Sequence, residues 1–164
     1  MTVISSTKDA EALSLTMVVE LTASPERVWS VLEDPRQLER WWGPPSYPAT
    51  FTRFEFHVGG EVRYHMTGPA GDTPRGFWRI ESLEPPRRIE FANGLAGEDG
   101  EPMPDVEPIA CAITLEATGS TTRMTVHSQF VDLSQMNLML DMGMEEGMRL
   151  GLGQIDGVLS GTTV

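Results

Sequence analysis

The chain has 164 residues, of which 40% are hydrophobic, and a formal net charge of −12 at pH 7. This length suits a single domain with a real core, and the charge makes nucleic acids and anionic membranes unexpected partners. The single cysteine, Cys111, excludes an internal disulfide and a multi-cysteine metal site. Because the chain has no apolar run of 18 residues and no leader-like start, we expect a cytoplasmic protein.

The first part of the chain predicts a strand followed by two short helices. Residues 1–12 are polar and we expect them to be disordered, which leaves one domain over residues 13–162. Hydrophobic alternation over residues 13–22 predicts a strand. Ser24 then suits a helix N-cap, with Pro25 at the first helical position.

Two adjacent tryptophans end the second short helix, in the segment LERWWGPP. Neighbouring residues on a helix point about 100° apart, so Trp41 and Trp42 cannot face one core in the same way. We expect Trp41 to anchor the helix pair to the sheet, and Trp42 to lie nearer an opening or the surface.

The middle of the chain predicts six further strands. Between residues 49 and 130, apolar residues recur at every second position, and turns rich in Gly and Pro separate the runs. One loop, residues 94–108, is longer than a hairpin needs and carries five acidic residues. Loops of that length are usually functional or mobile. The six strands most simply form one antiparallel meander.

The last part of the chain predicts one long helix. From Ser134, a suitable N-cap, to about residue 160 the apolar residues recur with a helical period. Each glycine inside a helix costs about 1 kcal/mol relative to alanine, so we expect the sheet to approach the helix backbone closely at its glycines. These glycines are Gly143, Gly147, Gly151, Gly153 and Gly157.

Methionines are concentrated at the start of this predicted helix. They are Met136, Met139, Met142, Met144 and Met148. Methionine adapts to irregular apolar shapes, so we expect this stretch to form one wall of a ligand entrance.

The order of elements is therefore one strand, two helices, six strands and one helix, which is an α+β arrangement. A curved, seven-stranded antiparallel sheet needs one face covered, and only the C-terminal helix is long enough to cover it. Curving the sheet around that helix gives a helix-grip fold, with the two short helices closing one end.

Five segments in this order carry a family resemblance. They are SPERVWSVLEDPRQLERWWGP, GGEVRYHMTGPAG, LEPPRRIEF, GSTTRMTVHSQF and GMEEGMRLGLGQIDGVLSG. Together they resemble the activator of heat-shock protein 90 ATPase homologue (AHSA1-like) family of the START-like, or SRPBCC, superfamily. The resemblance implies a helix-grip (Bet v 1-like) fold with a deep apolar cavity between the sheet and the C-terminal helix. It implies no single activity, because the relatives include lipid binders, aromatase/cyclases and hormone receptors.

The chain departs from this family at one motif. Members often carry Asp-x-Arg-x-Gly-Gly before the third strand, whereas this chain has Glu55 and His57 ahead of Gly59 and Gly60. The Gly-Gly turn carries over, but His57 replaces the arginine, so the ion pair of that arginine does not carry over.

Strand alternation and the resemblance together predict a ligand cavity with an apolar and aromatic lining. An ordinary packed core is the alternative for such a stripe. We expect no cofactor, and no metal ion, because His57, His65 and His127 do not share one face. The predicted lining residues are Trp41, Trp42, Phe54, Phe56, Val62, Tyr64, Met66, Trp78, Phe91, Ile113, Met124, Met144, Met148 and Leu152.

Two classes of function remain open. The first is a binding protein for a lipid-like, aromatic or polyketide-like small molecule, with Tyr64, Glu145 or Arg149 as polar contacts at the rim. The second is a cyclase or dehydratase in which Tyr64, His65 or Glu145 moves protons. Co-activation of a chaperone ATPase is implied only by the name of the family.

Binding is the favoured interpretation. The predicted interior lacks two ionisable groups whose environments could drive their pKa values apart, as an acid and base pair requires. The expected partner is therefore a hydrophobic small molecule. Exposed edges of a curved sheet also permit a homodimer without requiring one.

Overall fold

The computed structural model describes residues 3–160, which form one curved antiparallel sheet and five helices. The strands are β1 (Val3–Asp9), β2 (Ser14–Leu21), β3 (Ala49–Phe54), β4 (Glu61–Met66), β5 (Arg75–Glu84), β6 (Arg88–Ala96), β7 (Ile109–Thr118) and β8 (Thr121–Gln129). Their order across the sheet is β1-β2-β8-β7-β6-β5-β4-β3. The helices are α1 (Pro25–Glu33), α2 (Pro35–Leu38), α3 (Leu133–Asp141), α4 (Met144–Leu152) and α5 (Ile155–Leu159).

The sheet has eight strands rather than seven, because β1 pairs with β2 along its length up to Asp9 opposite Ser14. The prediction that residues 1–12 are disordered is therefore wrong over residues 3–9, and residues 1–2 lie outside the described part of the chain. Residues 5–9 are polar and largely exposed, so they show no apolar alternation. Backbone pairing at a sheet edge does not require such alternation.

One face of the sheet is buried, as period-two alternation requires. On β2 the buried apolar side chains are Leu15, Met17, Val19 and Leu21. The residues that alternate with them, such as Glu20, point to the other face. The same alternation continues through β8 and β7. The predicted α+β helix-grip architecture is confirmed, with its core between this face and the helices.

The two short helices begin as predicted. The Ser24 hydroxyl accepts a hydrogen bond from the backbone N–H of Arg27 at 3.2 Å, with Pro25 in the first turn. The guanidinium of Arg27 also donates to the carbonyl oxygen of Val158 at 3.0 Å. This bond joins α1 to α5, so the two helices lie next to each other.

The predicted long C-terminal helix is three helices. Gly143 has φ 89°, a left-handed conformation that ends α3 and precedes α4, and Gly153 follows the end of α4. The N-cap of α3 is Asp132, not Ser134: its carboxylate accepts from the backbone N–H of Gln135 at 2.8 Å. Among the described residues, no helix combines the length and apolarity needed to cross a bilayer.

Close backbone approach occurs in α4 at Gly151, but its partner is not the sheet. A Cβ at Gly151 would lie 2.8 Å from the carbonyl oxygen of Trp41 and 3.3 Å from that of Trp42. At Gly147 and Gly157 an added Cβ would meet no atom within 4 Å. The absent side chain at Gly151 therefore lets α4 pack on the chain that leaves α2.

Candidate ligand cavity

A cavity of about 370 Å³ lies between the concave face of the sheet and helices α3 and α4. Its lining is mainly apolar, and the well-exposed Met142 and Glu107 mark its mouth. It is lined by Trp41, Trp42, Pro44, Tyr47, Tyr64, Met66, Pro74, Asn93, Gly94, Leu95, Val106, Glu107, Ile109, Ile113, Val126, Met139, Met142, Gly143, Met144, Gly147, Met148, Gly151 and Leu152.

The predicted lining residues divide into two groups. Those that line the cavity are Trp41, Trp42, Tyr64, Met66, Ile113, Met144, Met148 and Leu152. Those that do not are Phe54, Phe56, Val62, Trp78, Phe91 and Met124. The second group belongs to the core or packs against it without lining the cavity.

Trp42 separates part of that second group from the cavity. Its ring packs edge-on against Trp78 at 4.8 Å between centroids and against Phe91 at 6.4 Å. Trp78 and Phe91 stack on one another at 4.1 Å. Trp42 is only partly buried whereas Trp41 is buried, as predicted, but the Trp42 ring lies at the inner end of the cavity and not at its mouth. Trp41 is 2% exposed, and its indole N–H donates to the carbonyl oxygen of Val31 in α1 at 3.0 Å.

Position along the strand explains the misplaced phenylalanines. The pairing of β3 with β4 shifts between Phe51 and Arg53, and it places Phe51 opposite Tyr64, at 5.2 Å, and Phe54 opposite Val62. Phe54 instead stacks on Phe56 at 5.3 Å. Both rings therefore lie away from the cavity, with Phe56 next to α1.

The two remaining residues of this group, Val62 and Met124, are fully buried in the sheet. Val62 pairs with Trp78 on the neighbouring strand, and Met124 pairs with Leu115. Their side chains are covered by core residues, so alternation alone placed them on the right face but not at the right depth.

The polar groups of the cavity lie on three neighbouring strands. Tyr64 on β4 is paired with Gly76 on β5, where a Cβ would lie 2.4 Å from the Tyr64 Oη. The tyrosine thus crosses β5 and donates to the Oδ1 of Asn93 on β6 at 3.3 Å. Burial raises the pKa of Tyr64 to about 12, so the phenol keeps its proton at neutral pH.

Asn93 was missed by the sequence analysis, although a signal was available. It follows Phe91 and precedes Leu95 at two-residue spacing on β6, so it is a polar residue in an apolar register. A polar group at such a position needs a partner or a function.

A family model described as "Activator of Hsp90 ATPase homolog 1-like protein" matches residues 22–160. The chain belongs to this family. A solution NMR structure of a protein from Arthrobacter aurescens is 49% identical, with a TM-score of 0.93 over 99% of this chain and 94% of that one. A crystal structure of protein Ms6760 from Mycobacterium smegmatis is 36% identical, with a TM-score of 0.90 and 99% coverage of both chains. No curated protein matches the chain.

A more distant structure shows the same fold. The AHSA1 protein from Silicibacter pomeroyi is 19% identical, with a TM-score of 0.73 over 90% of this chain and 97% of that one. At this identity the likeness concerns the fold alone.

In this AHSA1-like chain, the three residues considered for catalysis are not brought together. Tyr64 lines the cavity, whereas His65 and Glu145 do not. The Glu145 carboxylate accepts from the Ser6 hydroxyl at 2.6 Å and pairs with Lys8 at 3.1 Å, so it joins α4 to β1. Arg149, considered as a rim contact, also lies outside the lining and pairs with Glu145 at 3.7 Å.

Glu145 predicts a pH-dependent contribution to stability of the AHSA1-like fold. Hydrogen bonds from Ser6 and Lys8 lower the pKa of Glu145 below its ordinary 4.5. A carboxyl whose pKa is lower in the folded than in the unfolded state stabilises the fold at pH values above its unfolded-state pKa. This stabilisation is lost as the pH falls through the folded-state pKa.

Glu145→Gln is therefore expected to lower the free energy of unfolding at pH 7 by up to about 1 kcal/mol, as for other partly exposed ion pairs. Urea denaturation at pH 7 and at a pH below the folded pKa measures the difference. The difference in free energy of unfolding between the variant and the unmodified protein should be smaller at low pH. An equal difference at both pH values would contradict the stabilising role of the Glu145 carboxylate.

The histidines of this AHSA1-like chain lie outside the cavity lining. His57 is exposed and contacts the Val58 carbonyl oxygen at 3.1 Å, while His127 Nδ1 lies 2.9 Å from the Thr16 hydroxyl. At the motif where His57 replaces the family's arginine, Glu55 pairs instead with Arg53, at 3.0 Å. Across residues 3–160, no three His, Cys, Asp or Glu side chains are grouped as a metal site would require.

Proposed function

We propose that this AHSA1-like protein binds a hydrophobic small molecule in the cavity between the sheet and helices α3 and α4. The observation that carries the proposal is the cavity itself, whose volume of about 370 Å³ lies in the range of small-molecule sites. An empty apolar space has a cost in stability that grows with its volume. A bound apolar molecule would offset that cost.

The mouth of the cavity supports the same function. Of the methionine-rich stretch, Met139, Met142, Met144 and Met148 line the cavity. Their unbranched side chains can rearrange around ligands of different shape. Opposite them, the loop after β6 is held to α3 by a bond from the Gln135 amide to the Glu107 carbonyl oxygen at 2.6 Å. This combination favours a defined entrance with an adaptable apolar wall.

The ionisable groups of the lining favour binding over catalysis. In the part of the chain that the structure describes, they are Tyr47, Tyr64 and Glu107. The Tyr47 hydroxyl donates to the Asp72 carboxylate at 2.8 Å, and Glu107 is exposed at the mouth. No carboxylate or histidine faces the buried Tyr64 within the lining, so the acid and base pair of a cyclase is not assembled.

Two glycine positions test the proposal with matched variants. Gly147 lines the cavity and Gly157 does not, yet an added Cβ meets open space at both. We expect Gly147→Phe to fill the cavity and to weaken binding of the neutral dye N-phenyl-1-naphthylamine by at least about tenfold. Gly157→Phe should bind the dye like the unmodified protein.

Dye fluorescence titration measures both affinities, and far-UV circular dichroism confirms that each variant is folded. Native mass spectrometry of freshly purified protein adds a direct search for a bound small molecule. Absence of dye binding to the unmodified protein, or equal binding by the two phenylalanine variants, would overturn the proposed function.

A further inference from the structure

The inner end of the cavity contains a line of polar groups inside an otherwise apolar wall. Trp42, Tyr64 and Asn93 all line the cavity. The Tyr64 hydroxyl donates to Asn93 Oδ1, and the Trp42 ring packs edge-on against Tyr64 at 6.0 Å. These three side chains come from the α2–β3 connection, β4 and β6, so the fold brings them together from distant parts of the sequence.

The direction of hydrogen bonding along this line is set by its members. An indole N–H can only donate, and the single hydroxyl proton of Tyr64 is donated to Asn93 Oδ1. The Tyr64 oxygen can then only accept, and Asn93 Oδ1 keeps one lone pair, whereas the Asn93 NH₂ group can only donate. The donor that the line offers to the cavity is therefore the NH₂ group of Asn93, which lines it.

Within the described part of the chain, the buried Trp42 N–H has no acceptor of good geometry. A buried polar group in this state costs on the order of 1–3 kcal/mol. Burial raises the pKa of Tyr64, and a weak hydrogen bond from the Trp42 indole to the Tyr64 hydroxyl lowers it by a smaller amount. Because the Trp42 N–H is itself buried, the donor that a ligand in the cavity can reach is the NH₂ group of the lining residue Asn93.

The charges around the cavity restrict the acceptor to a neutral one. In the described lining there is no lysine, arginine or histidine, and the one carboxylate is Glu107 at the mouth. The whole chain carries a net charge of −12. An anionic ligand would thus enter an apolar cavity with no cation to pair with, which is strongly unfavourable.

We propose that the ligand is a neutral, mainly apolar molecule with a carbonyl-type acceptor, and that this oxygen lies at the inner end and accepts from the NH₂ group of Asn93, beside Trp42 and Tyr64. This inference rests on the proposed function and adds the chemical class of the ligand. The apolar body of the molecule then extends toward Met144 and Met148 at the mouth.

Fluorenone and fluorene form a matched pair of probes, because they share one shape and differ by a ketone oxygen. A purely apolar cavity favours fluorene, since water solvates the ketone better. We expect the unmodified protein to favour fluorenone, and the anion fluorene-9-carboxylate to bind more weakly than either. Dissociation constants come from competition with N-phenyl-1-naphthylamine.

The double variant Tyr64→Phe/Asn93→Leu removes the Asn93 donor and the Tyr64 hydroxyl that binds Asn93, with little change in shape. We expect it to shift the fluorenone-to-fluorene affinity ratio toward fluorene by about tenfold, the effect of one or two hydrogen bonds. Fluorene itself should bind the double variant as it binds the unmodified protein. Asn137→Leu, the same chemical change at an exposed position of α3, is the matched control and should leave the ratio unchanged.

The outcomes distinguish this inference from the function on which it rests. Tight binding of both probes with a ratio that the double variant does not change would overturn the inference and leave the proposed function intact. Tighter binding of fluorene-9-carboxylate than of fluorenone would also overturn it. If neither neutral probe binds the unmodified protein, the proposed function fails and the inference fails with it.

Discussion

Trp41→Ala is expected to lower the free energy of unfolding by about 3–5 kcal/mol, the range for a buried tryptophan. The side chain is 2% exposed, and its indole N–H donates to the Val31 carbonyl oxygen at 3.0 Å. Its loss leaves a void between α1 and the cavity, and it leaves the Val31 carbonyl without this donor. Urea denaturation followed by far-UV circular dichroism measures the change without relying on tryptophan fluorescence.

Trp42→Ala is the matched control, because the two tryptophans are adjacent in the chain. We expect it to cost on the order of 2 kcal/mol, since part of the Trp42 ring faces the cavity rather than protein atoms. It should also enlarge the cavity toward Trp78, which the ring covers at 4.8 Å. Equal stability losses for the two variants would show that Trp42 is as fully packed as Trp41, and would contradict the different roles assigned here.

The parts of the fold that were predictable have strong local signals. Ser24 followed by Pro25 fixes the start of α1 through capping chemistry that depends on neighbouring residues only. The strands from β2 to β8 each carry apolar alternation, because one face of each is buried. These local signals, together with the family resemblance, are sufficient to predict the helix-grip architecture.

The errors in the fold have a common physical origin. β1 is polar and stabilised by backbone pairing, so its side chains give no periodic signal. The C-terminal segment has a continuous helical period, but the left-handed Gly143 interrupts it. Five glycines occur in that segment, and which of them adopts a positive φ depends on tertiary packing.

The cavity was predictable as a region and not residue by residue. Alternation assigns Trp78 correctly to the concave face, but it cannot show that Trp42 from another element lies over it. Similarly, the register shift between Phe51 and Arg53 is a property of the pairing with β4. Depth within a core depends on which elements cover each residue, and this information is not contained in any single strand.

The glycines of α4 offer the second large effect, since two of them are expected to respond in opposite directions. A Cβ at Gly151 would lie 2.8 Å from the Trp41 carbonyl oxygen, which is backbone and cannot rotate away. At Gly147 the same atom meets open space. The local helix propensity gained by replacing glycine with leucine is similar at both positions, about 1 kcal/mol, so the tertiary contact decides the sign.

Gly151→Leu is therefore expected to lower the free energy of unfolding by about 3 kcal/mol, because the larger side chain must separate α4 from the Trp41–Trp42 backbone. Gly147→Leu should raise it by up to about 1 kcal/mol. Chemical denaturation of both variants at one pH measures the two changes. If Gly151→Leu proved neutral, α4 would have room to move away from the tryptophan pair at little cost. The close packing that holds the inner end of the cavity in place would then be absent.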